Sequence, residues 1–229
     1  MLSLSSATNA VRIRSCASLK RGAAYFAHRE IDGVNTDAFF NKIRTYAEIS
    51  DEAKRAWASL LQPRQYRKDE SLVVAGEVPT RFAFVLEGLF FQHCVGPEGD
   101  MVIKYFFPEG RIAASVSATL QGKPSPSTIT AIEDSSVLEY DFAAFRALTI
   151  RFPDIAAFYM RYMERHWIIE KEPIEVGFRR DNAMQRYRDF ISREPDLHRR
   201  LRQHHIAAWL GITPESLSRL RKAIALGVG

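Results

Sequence analysis

Residues 203–222 have the sequence QHHIAAWLGITPESLSRLRK. Two apolar residues, Ile206 and Leu210, are four positions apart and therefore share one face of a first helix. Gly211 follows where the chain must turn, and glycine adopts a left-handed conformation without steric cost. A threonine and a proline then provide a good N-cap and a suitable first residue for a second helix. The segment therefore predicts a helix-turn-helix, the motif that places its second helix in the major groove of DNA.

The outward face of the predicted second helix carries side chains that suit DNA. Leu217, Leu220 and Ile224 repeat at helical spacing and are expected to face inward. Arginine can bond a guanine edge in bidentate fashion, glutamate can accept from cytosine, and lysine and hydroxyl groups hold the backbone. The residues predicted to contact DNA are Thr213, Glu215, Ser216, Ser218, Arg219, Arg221 and Lys222. A helical hairpin with a solvated charged face is the alternative, because motif matches carry false positives.

The composition is that of an ordinary globular protein with a basic end. The 229 residues are 46% hydrophobic and 26% charged, enough for one large or two smaller domains. The net charge is +5, and from residue 181 onward nine Lys and Arg residues stand against five Asp and Glu residues. This surplus beside a helix-turn-helix fits attraction to phosphate. Cys16 and Cys94 form no metal-binding pattern, and no run of about 18 apolar residues occurs, so we expect a cytoplasmic protein without disulfides or a membrane span.

The first 34 residues differ from the rest. Residues 1–20 are rich in Ser and Ala, contain three basic residues and lack acids. This composition superficially resembles a transit peptide. The preferred interpretation is a disordered tail over residues 1–34, or a start codon assigned too early.

Residues 65–140 contain short β-rich runs separated by turn signals. The runs are Tyr66–Lys68, Leu72–Val74, Phe82–Leu86, Leu89–Val95, Met101–Phe107, Thr128–Ile132 and Val137–Tyr140. Many short strands without helices between them indicate an antiparallel β-barrel or jelly roll, which can hold a small ligand. With helices on either side, the sequence predicts an α+β fold that ends in an all-α helix-turn-helix domain.

A long helix is predicted after the barrel. Residues 154–172 place apolar and aromatic side chains at three- and four-residue spacing, and such a face is too aromatic to leave in water. The face packs either on its own barrel or on the same helix of a second subunit. Pro173 is expected to end or kink this helix and to act as a hinge.

The order of barrel, long helix and helix-turn-helix resembles the Crp/Fnr family of bacterial transcription regulators, over roughly residues 39–225. The segment HIAAWLGITPESLSR at residues 205–219 is the most specific part and resembles the branch common in Bacteroidetes-type genomes. Further landmarks are Gly76-Glu77, Phe84–Gly88, Phe106–Gly110, Gly122–Ser125 and Ile132–Ser135.

The resemblance implies a homodimer that binds double-stranded DNA at two half-sites about 34 Å apart. The implied dimer interface consists of Ile155, Phe158, Tyr159, Tyr162, Met163, His166 and Ile169. RNA polymerase is a further candidate partner. Pro214 stands where many members have an arginine, which removes one potential guanine contact, and the wing of many members is absent.

The barrel departs from the pattern of cyclic-nucleotide binders, which carry Gly-Glu-Leu for the ribose and Arg-Ser for the phosphate. Here the corresponding segments are RIAASV at residues 111–116 and KPSPST at residues 123–128, so Pro126 takes the arginine position. We therefore expect poor binding of cyclic AMP. Arg111 and Lys123 are expected on exposed turns. The candidate pocket for an unknown neutral effector consists of Ser115, Ser117, Ser125, Ser127 and Thr128, which could equally satisfy strand ends and turns.

The sequence thus predicts a tail at 1–34, a sensor barrel at 35–150, a long helix at 151–180 and a DNA-binding domain at 181–229. A ligand-sensing barrel with decayed DNA binding is the alternative, motivated by Pro214 and the absent wing. A barrel enzyme is the third hypothesis, and it is disfavoured because His93 is the only histidine of the barrel. No metal, cofactor or catalytic residue is predicted.

Overall fold

The computed structural model describes residues 36–96 and 99–226. The tail predicted at residues 1–34 lies outside these ranges. The helices are α1 (Asp37–Arg44), α2 (Asp51–Ala58), α3 (Val116–Gln121), α4 (Phe142–Arg151), α5 (Pro153–Met163), α6 (Lys171–Arg180), α7 (Ala183–Arg193), α8 (Pro195–Arg200), α9 (Gln203–Leu210) and α10 (Pro214–Ala225). The strands are β1 (Gln62–Tyr66), β2 (Ser71–Val73), β3 (Arg81–Glu87), β4 (Phe90–Val95), β5 (Met101–Phe107), β6 (Ile112–Ala113), β7 (Thr128–Ala131) and β8 (Ser135–Asp141).

Two antiparallel sheets form the barrel. Their strand orders are β1-β8-β3-β6 and β2-β7-β4-β5. The inward side chains of both sheets form one apolar core, which includes Val85, Phe90, Phe107, Ile129 and Val137. The predicted α+β fold, with an antiparallel barrel flanked by helices and a helical carboxyl-terminal region, is therefore confirmed.

The largest errors in the strand prediction occur where the hydrophobic pattern is weak. β1 lies at Gln62–Tyr66 rather than at Tyr66–Lys68, and four of its five residues are exposed. Its position is set by pairing with β8, which an alternating pattern in β1 itself does not reveal. The short elements β6 and α3 were not predicted, because two and six residues are too few for a periodic signal.

An aromatic cluster joins the helices to the outer face of the barrel. The Trp57 side chain is fully buried, and its ring lies 5.1 Å from that of Phe39 and 5.0 Å from that of Phe145. Side-chain caps hold two of these helices in place: the Ser50 hydroxyl accepts from the Ala53 N–H, and the Asp141 carboxylate accepts from the Ala144 N–H.

The long helix continues through Pro173, so of the two expected outcomes, an end or a kink, the end is wrong. A helical stretch of 28 residues runs from α5 to the end of α6. Its middle, Glu164–Ile169, is a π-helical segment, in which the Glu170 N–H donates to the Arg165 carbonyl at 3.0 Å. Pro173 is the third residue of α6 and has no N–H to donate. The wider turn just before it accommodates the proline without ending the helix. Within the described part of the chain, no helix is long and apolar enough to cross a membrane.

The four carboxyl-terminal helices pack against the second sheet of the barrel. Phe91, Ile103 and Phe106 of the barrel share one buried cluster with Leu197 and Ile206 of these helices. Asn182 and Gln185 form a capping box at the start of α7. The carboxyl-terminal helices therefore pack against the barrel through a shared apolar cluster.

Candidate nucleic-acid interface

The helix-turn-helix has the local geometry that its sequence predicts. Gly211 ends α9 with a φ of +67°, and the Ile212 N–H donates to the Ala207 carbonyl at 3.0 Å. The Thr213 hydroxyl then caps α10 by accepting from the Ser216 N–H at 3.2 Å. The side chains of Leu210 and Leu217 are fully buried where the two helices meet. The turn residues and the inward leucines therefore fix which side of α10 faces outward.

That outward side carries most of the residues predicted to contact DNA. Ser216 is half-buried, and the exposed ones are Thr213, Glu215, Ser218, Arg219, Arg221 and Lys222. Arg219 donates to the Ser216 hydroxyl at 3.2 Å and makes no ion pair with a described residue. The Glu215 pKa is lowered by its own backbone N–H, with smaller contributions from Thr213 and Arg219. An ionised glutamate and an unpaired arginine thus stand one helical turn apart on an accessible face.

Arg221 does not belong to this face. It follows Arg219 by two residues, which is about 200° around a helix. Burial raises the pKa of Tyr187 and lowers that of His198, and the positive charge of Arg221 acts on both groups to lower their pKa. The charge of Arg221 is therefore felt on the side of α10 that faces α7 and α8.

A charged contact fixes the helix-turn-helix against the barrel. Arg200 donates to Glu109 at 2.8 and 2.9 Å and to Glu133 at 2.5 Å. Burial disfavours the ionised form of Glu109, but hydrogen bonds from Arg200 and the backbone outweigh it and lower the pKa. The sequence alone gave no signal for this contact, because its three residues are far apart in the chain.

His205 lies in the same contact between α9 and the barrel. Its ring centroid is 5.2 Å from that of Phe91, and its Nδ1 is buried without a partner among the described residues. Burial lowers the pKa of His205 to about 4, and the neighbouring His204 and Arg202 act in the same direction. His205 is therefore a buried contact residue and not one that faces solvent, since it is only 9% exposed.

The buried neutral form of His205 predicts a loss of stability in mildly acidic solution. The pKa is near 6.5 in the unfolded chain and about 4 in the fold. Between these values the unfolded chain binds more protons, so the free energy of unfolding falls as the pH drops through this window. Urea unfolding at about pH 7 and about pH 5 measures the effect. His205→Gln should show a smaller difference between the two pH values; an equal difference in both proteins would contradict the prediction.

The structure corrects the implied dimer interface. Ile155 and Phe158 are fully buried within the subunit, and Tyr162 and His166 are only 5% and 6% exposed. The Tyr162 hydroxyl accepts from the Ile112 N–H of the barrel at 2.8 Å. These four side chains cannot form the surface of a seam, because α1, α2 and the barrel already cover them. The face of the long helix that carries these four side chains therefore packs on the subunit's own barrel and not on the same helix of a second subunit.

Other residues of the same helix remain available to a second subunit. Tyr159 and Met163 are half-buried, and Ile169 is 66% exposed. The exposed apolar side chains along the stretch are Met160, Ile168, Ile169, Val176 and Phe178. A seam on the long helix therefore has to be built from this outer set.

The predicted effector pocket is a network of serines that bond one another. Ser115 and Ser125 share a hydrogen bond of 2.9 Å, and Ser125 donates to the Ser127 carbonyl at 2.6 Å. Gln92 donates to the Ser127 hydroxyl at 2.6 Å, whereas its own Oε1 is buried without a partner among the described residues. Ser117 is exposed and Thr128 is half-buried, with the Thr128 hydroxyl accepting from the Ala75 N–H. The geometry favours the alternative in which these hydroxyls satisfy strand ends and turns.

Arg111 was expected on an exposed turn. It lies instead in a largely buried polar cluster. It donates to the Tyr105 hydroxyl at 2.7 Å and to Glu170 at 2.5 Å. Glu170 also lies 2.9 Å from Nδ1 of His166, whose Nε2 lies 2.6 Å from the Tyr46 hydroxyl. Lys123 is exposed, as predicted. The described residues include no group of His, Cys, Asp and Glu that could hold a metal ion.

Comparisons with known proteins agree with this architecture. Residues 63–151 match the family model of the cyclic nucleotide-binding domain. No curated protein matches the chain significantly. FixK2 from Bradyrhizobium japonicum is similar in structure with a TM-score of 0.60 and 21% identity, covering 73% of this chain and 86% of that chain. A CooA variant from Carboxydothermus hydrogenoformans has a TM-score of 0.62 and 18% identity, covering 81% and 84%.

A third solved structure with a similar fold is that of a regulator. The c-di-GMP responsive global regulator CLP from Xanthomonas campestris has a TM-score of 0.62 and 12% identity, covering 78% of this chain and 93% of that chain. Residues 63–151 therefore match a cyclic nucleotide-binding domain, and the chain has the Crp/Fnr-type fold of these solved structures.

Proposed function

We propose that the protein is a sequence-specific, DNA-binding transcription regulator that acts as a homodimer in the cytoplasm, with RNA polymerase as a further partner. The observation that carries the proposal is the accessible face of α10. Glu215 and Arg219 are both exposed there, and Arg219 has no ion pair with a described residue. A free guanidinium beside a carboxylate suits the edges of guanine and cytosine.

The way in which the helix-turn-helix packs against the barrel is compatible with DNA binding. The contacts to the barrel involve α8 and α9, through Arg200, His205 and Ile206. Glu215, Arg219 and Lys222 are exposed, so barrel contacts leave this part of α10 accessible. In the proposed dimer, the outer apolar side chains of the long helix meet their copies and set the separation of the two recognition helices.

The test is selection of bound sites from random double-stranded DNA, followed by gel-shift titration of the selected and scrambled sequences. We expect an enriched palindrome whose half-sites are about one helical turn apart. Its affinity should fall steeply with salt, because phosphate contacts release counterions. Binding no stronger than to scrambled DNA would overturn the proposal. It would favour the second candidate, a ligand-sensing barrel whose DNA binding has decayed.

We further propose that the barrel does not take cyclic AMP at its usual position. On the family pattern, the position of the ribose-binding glutamate holds alanine or serine, within the buried residues Ala113, Ala114 and Ser115, and the position of the arginine holds the exposed Pro126. The nearby cation Arg111 is engaged by Glu170. Burying an unpaired phosphate costs several kcal/mol.

Isothermal titration with cyclic AMP should therefore give no binding at micromolar concentration. The same preparation should first be shown to unfold cooperatively in urea, so that a flat titration reports on a folded protein. A heat of binding that saturates with a micromolar dissociation constant would contradict the prediction. It would mean that other side chains, such as Gln92, replace the missing arginine.

A further inference from the structure

A cavity of about 960 Å³ lies between the barrel, the long helix and the helix-turn-helix. Residues of β5, of the stretch from Arg165 to Asp181, and of α7 and α9 line it. The serine network does not contribute to its walls. Its volume is in the range of ligand sites, about 300–1,000 Å³, and such sites often lie between domains.

One wall carries two ammonium groups without carboxylate partners. Lys171 Nζ lies 3.7 Å from the ring centroid of Trp167 and 5.5 Å from that of Tyr105. Neither Lys171 nor Lys104 makes an ion pair with a described residue. Burial lowers the pKa of Lys171 to about 8, the positive charge of Lys104 acts in the same direction, and the negative charge of Glu175 opposes both without making an ion pair. The two lysines therefore repel each other in a partly desolvated place, and an anion between them would relieve that repulsion.

The neighbouring carboxylate is not free to be that anion. Glu170 is already engaged by Arg111 at 2.5 Å, by His166 at 2.9 Å and by Arg165 at 3.7 Å. Across the wall, five cationic side chains lack an ion pair with a described residue, against three acidic ones. The cations are Lys42, Lys104, Lys171, Arg186 and Arg193, and the acids are Glu175, Asp189 and Glu194. The unpaired charges thus leave an excess of positive charge.

Another part of the wall is aromatic and includes a residue of the helix-turn-helix. Trp209 packs against Phe178 and Phe190, with ring centroids 5.7 and 4.7 Å apart. Arg186 lies beside them and donates to the carbonyls of Asp181, at 2.6 Å, and Leu210, at 2.9 Å. Its Nε is buried without a partner among the described residues. Because Leu210 immediately precedes the turn glycine, this guanidinium connects the cavity to the turn.

We propose that this cavity binds a small aromatic carboxylate, with its charge at Lys171 and Lys104 and its ring at Trp209. The ammonium groups supply charge-assisted hydrogen bonds, and the aromatic wall buries the apolar body. A ligand there touches the barrel, the long helix and the residues next to the DNA-reading turn. Binding itself does not depend on DNA recognition; only its coupling to DNA rests on the function proposed above.

The test uses 1-anilinonaphthalene-8-sulfonate, a flat aromatic anion whose fluorescence rises on leaving water. We expect saturable binding that indole-3-acetate displaces and indole-3-acetamide, its neutral analogue, does not. Lys171→Met should weaken binding roughly tenfold, the effect of losing one charged hydrogen bond. Ala208→Phe, which fills the cavity, should abolish it. The matched control is Lys123→Met, which removes an exposed lysine outside the cavity.

Equal affinity in the wild type and in Lys171→Met would overturn the proposal, as would equal displacement by the acid and the amide. Coupling is measured separately, by titrating the fluorophore with and without the selected DNA. Any factor by which DNA changes the affinity must also appear when the anion changes DNA affinity. If no DNA is bound at all, the proposed function fails while the result for the cavity stands.

Discussion

Phe158→Ala should lower the free energy of unfolding by about 3–5 kcal/mol, the usual cost of deleting a large aromatic side chain from a core. Phe158 is fully buried, and its ring lies 5.1 Å from Trp57 and 5.7 Å from Tyr46. No movement of a single neighbour can refill that space. Urea unfolding at two protein concentrations measures the loss, which should be the same at both because these contacts lie within one subunit.

Met160→Ala is the matched control on the same helix. Its side chain is 59% exposed in the single subunit, so the stability of that subunit should change little. If the outer face forms the seam, this variant should instead weaken self-association in light scattering. A small, concentration-dependent effect of Phe158→Ala would contradict the assignment of this residue to the subunit core and would restore the seam that the family resemblance implies.

Arg219→Ala should weaken binding to the selected DNA site by roughly 5- to 150-fold, because a bidentate contact to one base pair contributes about 1–3 kcal/mol. The loss should be small on scrambled DNA, since a base contact adds mainly to specificity. Gel-shift titration of both sequences at one salt concentration measures the ratio. The variant should fold normally, because Arg219 is exposed and bonds only to Ser216 among the described residues.

Arg221→Ala provides the control for position on the helix. Arg221 has the same charge and is also exposed, but it lies toward α7 and α8. We expect its loss to weaken binding to selected and scrambled DNA alike, as a phosphate contact does. If Arg221→Ala abolished discrimination and Arg219→Ala did not, the opposite side of α10 would be the one that reads DNA.

Local signals in the sequence predicted the helix-turn-helix well. A turn glycine, a capping threonine and inward leucines act within about twenty residues. Each therefore determines the conformation of the backbone next to it without distant contacts. The same holds for Ser50, Asp141 and Asn182, whose capping bonds are all present. The exposed residues of α10 followed from this periodicity without any knowledge of distant contacts.

The aromatic face of the long helix was predicted correctly as a buried face but was assigned to the wrong partner. Periodicity shows that Phe158 and Tyr162 share a face, yet it carries no information on what covers that face. The contacts that decide the matter come from Tyr46 and Ile112, which are distant in sequence. The Arg200 contact and the cavity were missed for the same reason, because both are assembled from separate parts of the chain.

The π-helical turn before Pro173 has a geometric consequence for the molecule as a whole. Such a turn corresponds to one extra residue in an α-helix, and each residue advances the direction of a side chain by about 100°. Residues of a π-helical segment advance by a smaller angle than this, so the segment absorbs its extra residue, and deleting one residue between Glu164 and Ile169 would leave the faces of α5 and α6 in nearly the same relative orientation. In a regular α-helix the same insertion would turn everything beyond it by about 100°, so the π-helical winding preserves the alignment of the two ends of the long helix.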